Sequence, residues 1–179
     1  MIRRNFLKYS FALVLAMFGL AALAANNPPG PKPSETLIVT GNILESRALA
    51  EVAQFYAGCN VLLCHPEADG KVSYFLLTKG DTSVAITESI NEFVSNKLAP
   101  KNIVVLGDSR YVPYSFDESL RARNQFSVVR MASADWPTNA KELASYLHKR
   151  RVASQYKKKM DEIREQLERR KLSGSEAAQ

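Results

Sequence analysis

Residues 102–140, NIVVLGDSRYVPYSFDESLRARNQFSVVRMASADWPTNA, most constrain what this chain can fold into. An apolar run at 103–106 stops at Gly107, and a second run at 126–131 leads through small residues into a helix. Short apolar runs that end at glycine and hand over to helices are the pattern of a parallel sheet covered by helices. The expected fold is therefore α/β, a Rossmann-like three-layer sandwich with a mainly parallel sheet, plus a long C-terminal helix. The turns at the carboxyl ends of such strands face the ligand, so function is expected after Leu106 and after Met131.

Charge is unevenly placed along the 179 residues, whose net charge is +6. Residues 1–24 carry three basic and no acidic side chains, residues 25–140 ten basic and twelve acidic, and residues 141–179 eleven basic and six acidic. The basicity thus belongs to the two ends, and overall charge gives no ground for expecting nucleic acid as a partner. Arg3 and Arg4 precede an apolar run at 9–23 that ends in Ala22-Leu23-Ala24, a small-x-small cleavage signal. Residues 1–24 are expected to be a signal peptide, its RRNFLK core resembling twin-arginine signals, with the general secretory route left open. The destination expected is the periplasm or the cell surface, and no cysteine follows the cleavage site to carry a lipid anchor.

Residues 25–35 then form a proline-rich spacer. An α/β domain is expected over 36–148 and a basic helical tail over 149–179. Within the domain, strands are expected at 36–40, 61–64, 71–78, 103–106 and 126–131. The first helix carries Leu44, Ala48, Val52 and Phe55 on its buried face and ends at Gly58. The turn His65-Pro66-Glu67-Ala68-Asp69-Gly70 predicts a hairpin and hence one antiparallel strand. Asp81, Thr82 and Ser83 offer caps for a helix bearing Ile86, Ile90, Phe93 and Val94, while Thr138 or Asn139 caps the last one. That last helix has no Gly or Pro between 141 and 171 and is expected to run unbroken. Its seam of Tyr156, Met160, Ile163 and Leu167 fits either an amphipathic helix lying on its own domain or self-association as a coiled coil. The clusters Lys149-Arg150-Arg151 and Lys157-Lys158-Lys159 suit an acidic polymer, a membrane surface or simple solvation.

Gly107-Asp108-Ser109 resembles the nucleophile block of GDS-type esterases and lipases, which makes a small hydrolase using Ser109 one alternative. The histidine of such enzymes follows an aspartate in a D-x-x-H motif, whereas Ser145-Tyr146-Leu147 precedes His148, and His65 is the one other histidine. Cys59 and Cys64, the two cysteines of a chain expected to be exported, fit either a disulfide or two buried thiols, the thiols favoured because a strand sets them far apart and on opposed sides. No spacing of metal ligands and no glycine-rich phosphate loop is present, so no metal or cofactor is expected. Asp108 and Asp135 fall at adjacent strand ends, where turn capping accounts for both.

Thr40-Gly41 with Ala48 to Ala50, Phe75 to Thr78, Val104 to Gly107 and Arg130 to Asp135 form four ordered blocks that resemble the cell wall binding repeat 2 family. Thr40-Gly41 with Ala48-Leu49-Ala50 resembles its T-G-x-x-x-x-D-A-L-A opening, and Phe75-Leu76-Leu77-Thr78 its I-L-L-T strand. Val104-Val105-Leu106-Gly107 with Val112 resembles V-x-x-x-G-G-x-x-A-V-S, and Arg130 to Asp135 with Thr138 and Ala140 resembles R-I-x-G-x-D-R-Y-x-T-A. Asp108 replaces the second glycine of the pair, and Trp136-Pro137 stands for Arg-Tyr. The resemblance implies a non-catalytic exported domain that holds an anionic wall polymer, here in a single copy. Arg110, Arg121, Arg123 and Arg130 are the candidate binding residues, since guanidinium suits phosphate or carboxylate, with Asp135 and Thr138 added by the resemblance. A protein-interaction scaffold acting through the C-terminal helix is the remaining alternative.

Overall fold

A computed structural model describes residues 35–78 and 82–176. The elements are β1 (Thr36–Gly41), α1 (Leu44–Ala57), β2 (Asn60–Pro66), β3 (Val72–Leu77), β4 (Ser83–Ala85), α2 (Ile90–Glu92) with a π-helical continuation at Phe93–Leu98, β5 (Asn102–Leu106), α3 (Tyr114–Arg121), β6 (Ser127–Met131), α4 (Trp136–Tyr146) and α5 (Arg151–Glu176). The expected signal peptide, the expected spacer up to residue 34 and the expected cap Asp81 lie outside the described residues. No helix among the described residues is long and apolar enough to cross a membrane.

The fold is α/β, built on one six-stranded sheet of order β4-β3-β2-β1-β5-β6. β2, β1, β5 and β6 are parallel, while β3 and β4 join antiparallel beyond β2. The sheet is therefore mixed rather than mainly parallel. The hairpin supplies one reversed strand as expected, and the second comes from Ser83–Ala85, where a helix was expected. Thr82-Ser83-Val84-Ala85-Ile86-Thr87 is dense in β-branched residues, and these favour the pleated ladder over a helical turn. The helix starts only at Ile90.

The chain moves from β1 out to β2, returns, and moves from β5 out to β6 in the opposite direction. Right-handed crossovers then require helices on opposite faces of the sheet. Accordingly Ile38, Val104 and Leu106 pack with Ala48, Leu49, Val52 and Leu143 of α1 and α4 on one face. Leu37, Val39, Ile103 and Val105 pack with Val94, Phe116 and Leu120 on the other. Both faces are buried, so these strands read as unbroken apolar runs.

Two helices depart from expectation. The buried stripe of α1 is made of small residues, Ser46, Ala48, Ala50, Ala53 and Ala57, with Leu49 and Val52, while Leu44 and Phe55 are 49% and 80% exposed. The last helix is broken at 147–150. His148 sits at φ 52°, its N–H donates to Ser145, and the Lys149 N–H donates 2.9 Å to Ala144. That pair of bonds is a Schellman stop, here made without glycine. Beyond it α5 turns back and packs antiparallel on α1 and α4, placing Val152, Tyr156 and Met160 in the same core as Leu49 and Leu143.

Candidate functional site

The carboxyl edge of the sheet has its topological switch between β1 and β5, where a doubly wound sheet opens a crevice for a ligand. Gly41 ends β1 and Gly107 follows β5, side by side. Between them lies the side chain of Tyr111. A Cβ added to Gly41 would meet Tyr111 Cβ at 3.0 Å, and one added to Gly107 would meet its Cδ2 at 2.7 Å. Gly107 also holds φ +95°, a conformation closed to most side chains. The ring stacks edge-on against Trp136 of α4, centroids 5.4 Å apart, and touches the apolar cores of both sheet faces. The crevice is filled by the chain itself.

The turn that delivers Tyr111 is tied by Asp108. Its carboxylate accepts the Arg110 N–H at 2.9 Å, and its carbonyl accepts from Tyr111 and Val112. The Arg110 guanidinium grips the same carboxylate at 2.7 Å and holds its pKa below the usual range. Ser109 is exposed on this turn. His148 sits at the far end of α4, toward the opposite edge, and His65 lies on β2, with β1 between it and β5. No hydrogen bond joins Ser109 to either histidine among the described residues.

Arg130 is not at the surface. Its side chain is 9% exposed and that of Asp117 is 8% exposed. Nε and Nη2 donate to the two Asp117 oxygens at 2.7 and 2.6 Å, Nη1 donates to the Gly107 carbonyl at 2.9 Å, and Nη2 to that of Val112 at 3.0 Å. The guanidinium lies 4.7 Å from the Tyr114 ring centroid. This bidentate pair pins α3 and the 107–113 turn to β6, which is a positioning role.

The other candidates do not converge with it. Arg121 and Arg123 are exposed at the far end of α3, and Arg123 donates to Ser95 at 3.2 Å. Asp135, rather than Thr138 or Asn139, caps α4: its carboxylate accepts from the Thr138 N–H at 3.0 Å and from the Thr138 hydroxyl at 2.6 Å. Asn139 bridges to Ser133 on both its amide atoms. Cys59 and Cys64 are free, buried thiols, one in the core of each face. Burial pushes the Cys59 pKa up to about 12 and that of Cys64 higher still. Among the described residues no three His, Cys, Asp or Glu side chains gather as metal ligands do.

α5 has two parts. Tyr156 and Met160 of the apolar seam are buried against α1 and α4, Ile163 is partly covered, and Leu167 is 44% exposed. Glu51 of α1 clasps Lys159 at 2.5 Å and Arg47 at 2.7 Å. Burial opposes charge on Glu51, but these bonds outweigh it and lower its pKa. From Arg164 on, the side chains whose exposure is described face solvent. A cleft of 730 Å³ between α4 and α5 has Trp136, Pro137, Tyr156 and Met160 on its walls with Lys141, Lys157 and Arg164.

The residue that sequence reasoning overlooked is Tyr111. Its signal was the pair Gly41 and Gly107, two glycines at the ends of neighbouring strands, which calls for something bulky between them. No protein family, curated protein or solved structure matches the chain.

Proposed function

We propose that this chain is an exported, non-catalytic domain of Rossmann-like three-layer form that works by binding at the cell envelope, in the periplasm or at the cell surface. The layered reading is supported by the two cores on opposite faces of the sheet. Binding rather than turnover is carried by one observation: Tyr111 occupies the crevice between β1 and β5 where this sheet would otherwise seat a small substrate. What remains is surface, and the envelope destination comes from the export signal and from the four-block resemblance to wall-binding repeats. The partner is an anionic envelope polymer.

A second reading, a protein partner or a second copy held by α5, is favoured by the exposed side chains at 164–171 of that helix. Co-sedimentation with isolated cell envelopes separates the two. The mature protein is compared with a chain ending at Arg164, at low and high salt, with and without prior protease treatment of the envelopes. Salt-sensitive pelleting by both forms on protease-treated envelopes supports the polymer. Pelleting lost on truncation and on protease treatment supports the protein partner. Pelleting by neither form overturns the binding reading. A cut at residue 148 is unsuitable, because Val152, Tyr156 and Met160 belong to the core.

A further inference from the structure

The corner where α4 meets α5 carries cations without the carboxylate partners that serve most of those further along α5. Lys157, Lys158, Lys159, Arg164 and Arg169 each reach a carboxylate, on Asp161, Glu162, Glu51, Asp161 and Glu165 respectively. Lys141, Lys149, Arg150 and Arg151 are exposed and form no salt bridge among the described residues. Lys141 and Arg150 line a cleft of 610 Å³ with Ala144, Ser145, His148 and Ala153, with no acidic side chain on its wall, and Lys149 and Arg151 flank Arg150 in the chain.

The placement of Arg151 works against stability, whereas Lys149 follows the negative C-terminal end of α4, where a cation is favourable. α5 has no acidic residue in its first turn and opens on Arg151, preceded by Lys149 and Arg150. A helix begins at its positive end, so cations there repel the aligned backbone dipoles. Residues set against their local electrostatics point to a function outside the fold. The corner is also rigid: the Schellman stop fixes His148 and Lys149, and Leu147 beneath is buried.

We propose that this corner binds a phosphate-rich anion of the envelope through Lys141, Lys149, Arg150 and Arg151. Several like charges with no acid between them suit a multiply charged chain better than a lone carboxylate. Two neighbouring guanidinium groups offer the forked donors that phosphate oxygens accept. The proposal deepens the polymer reading above and rests on it for the envelope setting. It also relocates the contact from the four arginines suggested by sequence to the opposite side of the fold.

The test uses the mature chain and a variant carrying Lys149→Gln, Arg150→Gln and Arg151→Gln, none of which is a core position. The probes are long-chain inorganic polyphosphate, phosphatidylglycerol vesicles and neutral phosphatidylcholine vesicles. The parent is expected to bind polyphosphate, the anionic vesicles or both at 50 mM salt, and to ignore the neutral ones. Binding to one probe alone identifies polymer or lipid as the source, and either supports the site. The triple variant should bind at least about tenfold more weakly, with a log–log salt slope shallower by about 2. It should stay folded and melt close to the parent, because all three side chains are exposed and the favourable charge lost at the end of α4 offsets the unfavourable charge lost at the start of α5. Replacing the paired Lys157 and Lys158 with glutamine should change binding less than about threefold.

A parent that binds none of the anionic probes, or a triple variant that matches it within twofold, overturns the proposal. Envelope pelleting that persists in the triple variant overturns the corner and leaves the binding reading standing. Polyphosphate binding that the triple variant loses, in a parent that does not pellet with envelopes, supports the corner and sinks the envelope reading.

Discussion

Replacing Arg130 with alanine separates a structural arginine from a binding one. The side chain makes two charged bonds to Asp117 and two longer bonds to the carbonyls of Gly107 and Val112, all in a setting where both side chains are under a tenth exposed. Its removal leaves the Asp117 carboxylate buried without a counter-ion. Breaking such a pair from one side costs about 3–5 kcal/mol, mostly the penalty of the abandoned charge. At about 2 kcal/mol per molar of urea, the unfolding midpoint should fall by about 2 M. Urea titration followed by circular dichroism measures this, with the m-value checked for constancy. Arg130→Met combined with Asp117→Leu removes both charges and should recover most of the loss. Arg130→Lys keeps the charge but cannot fork across the carboxylate and the two carbonyls, so it should fall between. A loss below about 1 kcal/mol for Arg130→Ala, or a double variant no better than the single, would refute the buried-pair account. Binding to envelopes should survive in every variant that folds.

Two further outcomes follow from the same geometry. Gly107→Ala combines a left-handed backbone with a Cβ 2.7 Å from the Tyr111 ring and should cost about 1–3 kcal/mol. Tyr111→Ala relieves the clash but not the backbone strain, so the two should combine less than additively in urea titrations; strict additivity would show that the ring does not sit between the glycines. Glu51 has its folded pKa lowered below 4.5 because the bonds from Lys159 and Arg47 overcome the effect of burial. A lowered carboxylate pKa stabilises the fold above the unfolded value and loses that contribution as pH falls through the folded value. Glu51→Gln should therefore be less stable at pH 7 and show a smaller drop in melting temperature between pH 5 and pH 3; equal drops would remove Glu51 as a source of acid sensitivity.

The central fold was legible because β1, β2 and β5 are buried on both faces and so read as short apolar runs. Gly58 and the Asp69-Gly70 turn were legible for the same local reasons that let glycine adopt φ 74° and 81°. What failed depended on contacts distant in the chain. Phe55 looks like a core residue in any helical projection, yet it is 80% exposed, because the buried stripe of α1 runs instead through Ser46, Ala48, Leu49, Ala50, Val52, Ala53 and Ala57. Ser83–Ala85 carries helix-compatible spacing and is captured as a strand by β3. The stop at His148 uses a left-handed histidine where a glycine would have announced it. At the candidate site, Arg130 was visible as a residue but not as a buried one, since its partner Asp117 comes from another element. The corner cations were visible as a cluster. Their lack of partners became apparent only when the carboxylates were seen to serve the later lysines.

The seating of Val152, Tyr156 and Met160 in the first-face core also sets a timetable for synthesis. Ile38 and Met160 belong to one packed cluster, so this side of the sheet cannot close until the ribosome has released nearly the whole domain. At about 5–20 residues per second, the interval from Thr36 to Met160 lasts about 6–25 s. Throughout that window the nascent chain holds strands and α1 with one apolar flank uncovered, a span in which it is most open to association.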